Sequence, residues 1–244
     1  MNQILVTEKI YVTPELKRKK KMYKILFVIS ILLIIALFAA YIYAEYDRNK
    51  QAGISGDILS FLNKKNDTTT IGASKITQEV AQEAEEENEN INQSSQLKMA
   101  TATSKYVAPN GKEYDTIGIV KIPKINISYP ILAQTTNVEL MKVAPYKFWG
   151  ANPNEVGNFC VIGHNYRRKG VFFSDVPSLN VGDIVEIQDL SQRTVEYEVY
   201  DLHTVSPNDR SDTTQYTNGK REVTLITCTD DAKQRVIVKC TEKK

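Results

Sequence analysis

Three cysteines and two histidines carry most of the nucleophilic and proton-transfer chemistry open to this 244-residue chain: Cys160, Cys228, Cys240, His164 and His203. Cys228 ends the apolar run VTLIT, six residues (TDDAKQ) follow, and Arg235 opens the next run, RVIVK. Two strands joined by so short a loop form a hairpin, so the thiol and the guanidinium are expected at one end of a sheet on neighbouring strands. A guanidinium stays charged at every relevant pH and can stabilise a thiolate or a developing oxyanion. His164 leaves the apolar run NFCVIG and opens the polar loop HNYRRKG, a place suited to exposure and to acid/base work on a leaving or entering amine. Each feature also has a plain structural explanation: a packed cysteine, a solvated arginine, a surface histidine.

The other candidates read as structural. His203 lies inside the alternating run Thr194–Val205, on the face expected to hold Val199 and Val205. Cys160 sits within an apolar run and Cys240 ends one, so both read as packing residues, with a Cys160–Cys240 disulfide left open. An odd cysteine count outside the cytosol leaves at least one free thiol or an intermolecular partner. No Cys-x-x-Cys or His-x-x-x-His spacing, no Gly-rich phosphate loop and no Gly-x-Ser-x-Gly elbow occurs, so no metal and no cofactor are expected.

The elements that must position these residues are short. Runs at 116–122, 127–132, 158–163, 183–187, 194–205, 223–227 and 236–240 have β texture and are separated by turn residues. Pro130 marks its run as an edge or a bend. Helices are expected only at 137–142 and 172–176. Many short strands with turn signals point to a mostly β domain over residues 105–244, a closed barrel or a sandwich.

Ahead of this domain the composition divides the chain. Residues 25–44 are twenty uncharged residues, long enough as a helix to cross a bilayer core of roughly 30 Å. Lys17, Arg18, Lys19, Lys20, Lys21 and Lys24 precede them, and Glu45 and Asp47 follow. The positive-inside rule then places residues 1–24 as a basic cytoplasmic tail and everything after residue 44 outside the cell. A cleaved signal peptide would have a shorter apolar stretch and a better small-x-small site than Ile42-Tyr43-Ala44. Residues 45–104 hold six Lys/Arg against ten Asp/Glu and read as a flexible acidic linker, with helix-forming residues in TQEVAQEAEEE. The net charge of +2 leaves no large basic surface, so nucleic acid is excluded as a partner.

Four segments together resemble the sortase family of Gram-positive bacteria: IGIVKIPKINISYPIL, GNFCVIGHN, FFSDVPSLNVGDIVEI, and TLITC followed by Arg235, in the family's order. The resemblance runs from about Thr116 to Thr241. It implies an eight-stranded β-barrel with short helices, preceded by one transmembrane helix. It also implies Cys228 as nucleophile, His164 as general acid/base, Arg235 as the group that steadies substrate and oxyanion, and Thr227 as a residue shaping the substrate groove. The activity implied is transpeptidation: cleavage of an LPXTG-like sorting signal through a thioacyl intermediate, which an amine of a cell-wall precursor or peptidoglycan then resolves. No Asp-Pro-aromatic motif precedes the barrel and no apolar segment follows it, unlike the family's usual pilin-polymerising members. Two other readings stay open: a thiol peptidase that only hydrolyses, and a tethered, non-catalytic interaction domain.

Overall fold

The computed structural model describes residues 14–69 and 102–244. The chain forms two compact units, residues 1–50 and 51–244. In the first, the described residues belong to one helix, α1 (Pro14–Thr69), which continues into the second. Through the stretch 25–44 its large apolar side chains stand exposed, Phe27 by 67% and Phe38 by 63%. The helix is long and apolar enough to cross a membrane.

The second unit is a β-barrel. Its strands are β1 (Ser104–Val107), β2 (Glu113–Ile122), β3 (Ile127–Leu132), β4 (Tyr146–Gly150), β5 (Gly157–Ile162), β6 (Ile184–Asp189), β7 (Thr194–Val205), β8 (Arg221–Cys228) and β9 (Arg235–Glu242), with a short helix, α2 (Val138–Met141), before β4. The sheet runs β1-β2-β3-β4-β5-β8-β9-β7-β6, and β6 pairs back onto β2, closing a ring of eight strands with β1 as an added edge. Closure depends on Gly118: a Cβ there would stand 2.4 Å from the Gln188 carbonyl oxygen, so only glycine lets β2 and β6 approach.

Alternation along each strand sorts side chains to two faces. Phe159, Val161, Val223, Leu225, Val236, Val238 and Cys240 enter the barrel core. Cys160, Ile226 and Ile237 turn the other way and form an outer apolar cluster with Phe148, Ile162 and Val205. Cys160 and Cys240 therefore occupy opposite faces, and all three cysteines are free thiols; the disulfide left open by the sequence does not form. The bulge between Val199 and Asp201 inserts one residue and reverses the alternation, so Leu202 reaches the core and His203 does not share the face of Val199.

Residues 45–69, expected to be flexible linker, form the C-terminal part of α1. Ile54, Ile58, Phe61 and Leu62 recur at helical spacing, and Ile58 (0% exposed) and Leu62 (3%) pack with Tyr114, Ile119, Leu132, Val143 and Ala144 of the barrel unit. Burial of this stripe offsets the cost of ordering the segment. The acidic stretch 78–96 lies outside the described residues.

Candidate active site

β5 and β8 are parallel neighbours, with Ile162 opposite Ile226. The Gly163 N–H donates to the Ile226 carbonyl (3.0 Å), carrying the pairing one residue further. This register sets His164, two residues past Ile162, level with Cys228, two residues past Ile226. β8 and β9 are antiparallel, with Cys228 opposite Arg235. The backbone thus brings Cys228, His164 and Arg235 to one rim of the barrel.

Local sequence explains the exit at His164. A Cβ on Gly163 would meet the Phe173 ring at 2.7 Å, so the strand must end in glycine for Phe173 to seat beneath it. The His164 carbonyl then accepts the Phe173 N–H (3.1 Å). Asn165 ties the two strands together, its Nδ2 donating to the Cys228 carbonyl (2.9 Å) and to Asp230 Oδ1 (3.0 Å). Nothing in the spacing of Asn165 singles it out; only the parallel pairing reveals it.

Thr227 is fully buried, and its hydroxyl donates to the Gly163 carbonyl (2.9 Å), bracing the strand end that carries His164. Strand alternation turns Thr227 to the face opposite Ile226, which lies in the outer apolar cluster.

A cavity of about 150 Å³ lies beside Arg235 over the outer apolar cluster, with Phe148, Ile162, Val205, Ile226 and Ile237 as its apolar lining and Arg210 and Asp212 among its polar residues. The Arg210 guanidinium sits 4.7 Å from the centre of the Phe148 ring. The wall formed by residues 206–220 is anchored through fully buried Asn158. The Asn158 Nδ2 donates to the carbonyls of Asp212 (2.8 Å) and Thr214 (3.2 Å), and its Oδ1 accepts from Thr224 Oγ1 (2.8 Å). Gln215 adds a second anchor, donating to the Asn158 carbonyl (2.9 Å) and accepting from the Ala151 N–H (3.1 Å). His203 braces the same wall, with Nε2 3.0 Å from Asp212 and Nδ1 3.0 Å from Asp201. Asn158, Gln215 and Arg210 were not legible as part of a site, because their contacts join a strand to a loop more than fifty residues away.

The electrostatics separate the candidate groups. Partial burial, helped by the positive charge of Lys142, holds the exposed-edged His164 imidazole below the ordinary histidine value. The hydrogen bond to Asp212 raises that of His203, against a smaller desolvation effect. Burial pushes the Cys160 thiol up to about 12 and raises that of Cys240 as well, which leaves both inert as nucleophiles. Cys228 alone among the thiols is partly exposed. The Arg235 guanidinium hydrogen-bonds the Gln234 carbonyl (3.2 Å) and has no carboxylate partner among the described residues.

The Sortase domain family model matches residues 120–243. Sortase A of Bacillus anthracis is 35% identical over 127 residues, which is 50% of this chain and 57% of that protein, so the match spans little more than half the relative's length. A Clostridium perfringens sortase D5 transpeptidase aligns at 28% identity over 53% of this chain and 80% of its own, with a TM-score of 0.48. A Clostridium perfringens sortase C with the C-terminal cell wall sorting motif aligns at 25% identity over 55% and 73%, also with a TM-score of 0.48. The chain belongs to the sortase family.

Proposed function

We propose that this protein is a membrane-anchored cysteine transpeptidase that cleaves an LPXTG-like sorting signal and joins the released protein to a cell-wall amine. The observation that carries the reading is the register that sets Cys228 opposite Arg235 and level with His164, beside an apolar cavity. In this reading the substrate's apolar residues lie on Phe148, Ile162, Ile226 and Ile237. The Cys228 thiol passes its proton to His164, its sulfur attacks the scissile carbonyl carbon, and the Arg235 guanidinium stabilises the oxyanion. The C–N bond breaks, and His164 gives its proton to the departing amine. The thioester remains on Cys228. An acceptor amine attacks it, His164 takes up the amine's proton, and the thiolate leaves as the new amide forms. Asn165 and Thr227 hold the two strand ends at a constant separation. Residues 25–44 anchor the enzyme with its N-terminus in the cytoplasm and the barrel on the outer side, where sorting signals and peptidoglycan amines are found.

The full chain in detergent or nanodiscs, given an LPXTG-type peptide and an amine acceptor, is the test. The expected result is an amide product that disappears with Cys228→Ala and persists with Cys160→Ala. Carboxylic acid as the sole product would instead support the thiol-peptidase reading. No turnover at all would support a binding domain and overturn the proposal.

A further inference from the structure

The loop that carries His164 is built against its own backbone preferences. Phe172 has φ of +50° and Arg167 of +56°, in the left-handed region that bulky side chains avoid. Such a conformation persists only where neighbours impose it. For Phe172 the neighbours are identifiable. Asn165 and Phe172 form an isolated antiparallel bridge. The Phe172 N–H donates to the Tyr129 hydroxyl (3.0 Å), and that hydroxyl donates in turn to the Gly170 carbonyl (3.3 Å). One phenol oxygen thus satisfies both ends of the turn at 170–172.

Rings continue the connection. Tyr129 stacks on Phe172 with centroids 5.1 Å apart and planes at 23°. Phe172 meets Tyr166 edge-on at 5.1 Å. Tyr166 lies 5.5 Å from the His164 ring. Each contact is a favourable aromatic geometry. Tyr166 is itself held by its N–H on Ser174 Oγ (2.9 Å). The ladder runs from β3 to His164 without passing through the cavity.

We propose that Tyr129 is a positioning residue that sets the place and tilt of the His164 imidazole by clamping Phe172, and through it Tyr166. The inference rests on the reading of His164 as the acid/base. A tyrosine kept only for packing would be replaced by phenylalanine without consequence. Here the hydroxyl makes two hydrogen bonds that hold a strained turn, so its removal frees the turn while the ring stack stays. The charged or titratable groups on the elements about the imidazole are Lys142 after α2, Tyr146 on β4, Cys228 and Asp230 at the end of β8, Arg235 on β9, and Tyr166, Arg167, Arg168, Lys169 and Asp175 on its own loop.

The test uses the full chain, whose two histidines give two imidazole signals in a ¹³C-histidine NMR titration, with His203→Gln assigning them. Tyr129→Phe is expected to move the His164 midpoint toward the ordinary histidine value. It should also lower kcat about 10-fold with KM little changed, as slight misplacement of a catalytic group does. Tyr129→Leu, which also removes the ring, is expected to lower kcat about 100-fold. The His203 midpoint should stay put in both. An unchanged His164 midpoint and kcat in a folded Tyr129→Phe protein would overturn the inference, and so would equal shifts of both histidines. If His164→Ala kept full activity, the acid/base reading itself would fall, while the NMR titration would still report whether the clamp exists.

Discussion

Two loops leave strands whose last residues, Ile162 and Val205, belong to the outer apolar cluster: residues 163–175 after β5 and residues 206–220 after β7. Each has a histidine at its base, and the two are built by different physics. The first is held by stacked rings and by left-handed residues kept in place by neighbours. The second is held by amides and ions, with buried Asn158 under it, its own Gln215 reaching back to the Asn158 carbonyl, and the His203, Asp212 and Lys239 charges beside it. His164 has no carboxylate partner among the described residues, and its pKa falls. His203 has two such partners, and its pKa rises. The proposed acid/base has no carboxylate beside it and is partly enclosed, whereas the histidine that braces the second loop is paired with two.

The sharpest way to break this contrast is to remove each histidine. His164→Ala is expected to lower the transpeptidation rate by about 1,000-fold, within the span typical of a lost general acid/base. His203→Gln should leave the rate near that of the wild type. Comparable losses from both, in steady-state assays on folded protein, would erase the distinction.

Next in size is the buried anchor. Asn158→Ala leaves the Asp212 and Thr214 carbonyls and the Thr224 hydroxyl without a donor or acceptor, at a cost of about 2–3 kcal/mol. The melting temperature should drop, and KM for the peptide should rise more than kcat falls, since the wall of the cavity loosens. A melting curve that matches the wild type would show the wall to be held elsewhere.

The smallest effects are in pH dependence, and their signs oppose. The folded-state pKa of His164 is depressed, so its protonation weakens the fold as pH falls below the unfolded value of about 6.5. The same depression places the acid limb of the kcat/KM profile below that value, and a flat profile would count against the Cys228–His164 pair. For His203 the folded pKa is raised. Its stabilisation is present below about 6.5 and fades as pH climbs through the folded value. Because the side chain is about a third exposed, the contribution is under about 1 kcal/mol after solvent screening. His203→Gln should therefore lower the melting temperature slightly in mild acid and not at all in mild alkali.

Period-two alternation and turn residues located seven of the nine strands, with β3 and β7 matching at both ends. β1 and β4 escaped notice. β4 follows Pro145, carries only five residues and has a bulge between Lys147 and Trp149, so its alternation is broken. The helical stripe at 54–62 was also missed, because the acidic composition of the residues that follow it dominated the segment. At the site, Cys228 and Arg235 were legible because a short hairpin loop leaves them one arrangement. Asn165, Asn158, Arg210 and Tyr129 were not, since each acts on partners far along the chain.

Local sequence sufficed for what depends on neighbours along the chain: an apolar span behind six positive charges, strands that alternate, a thiol and a guanidinium held across one tight connection. Folding alone decided the parallel pairing of β5 with β8, the inward turn of Thr227, the separate faces of Cys160 and Cys240, and the rings that reach His164. Those outcomes follow from register and closure, where a single bulged or missing side chain reassigns a whole face.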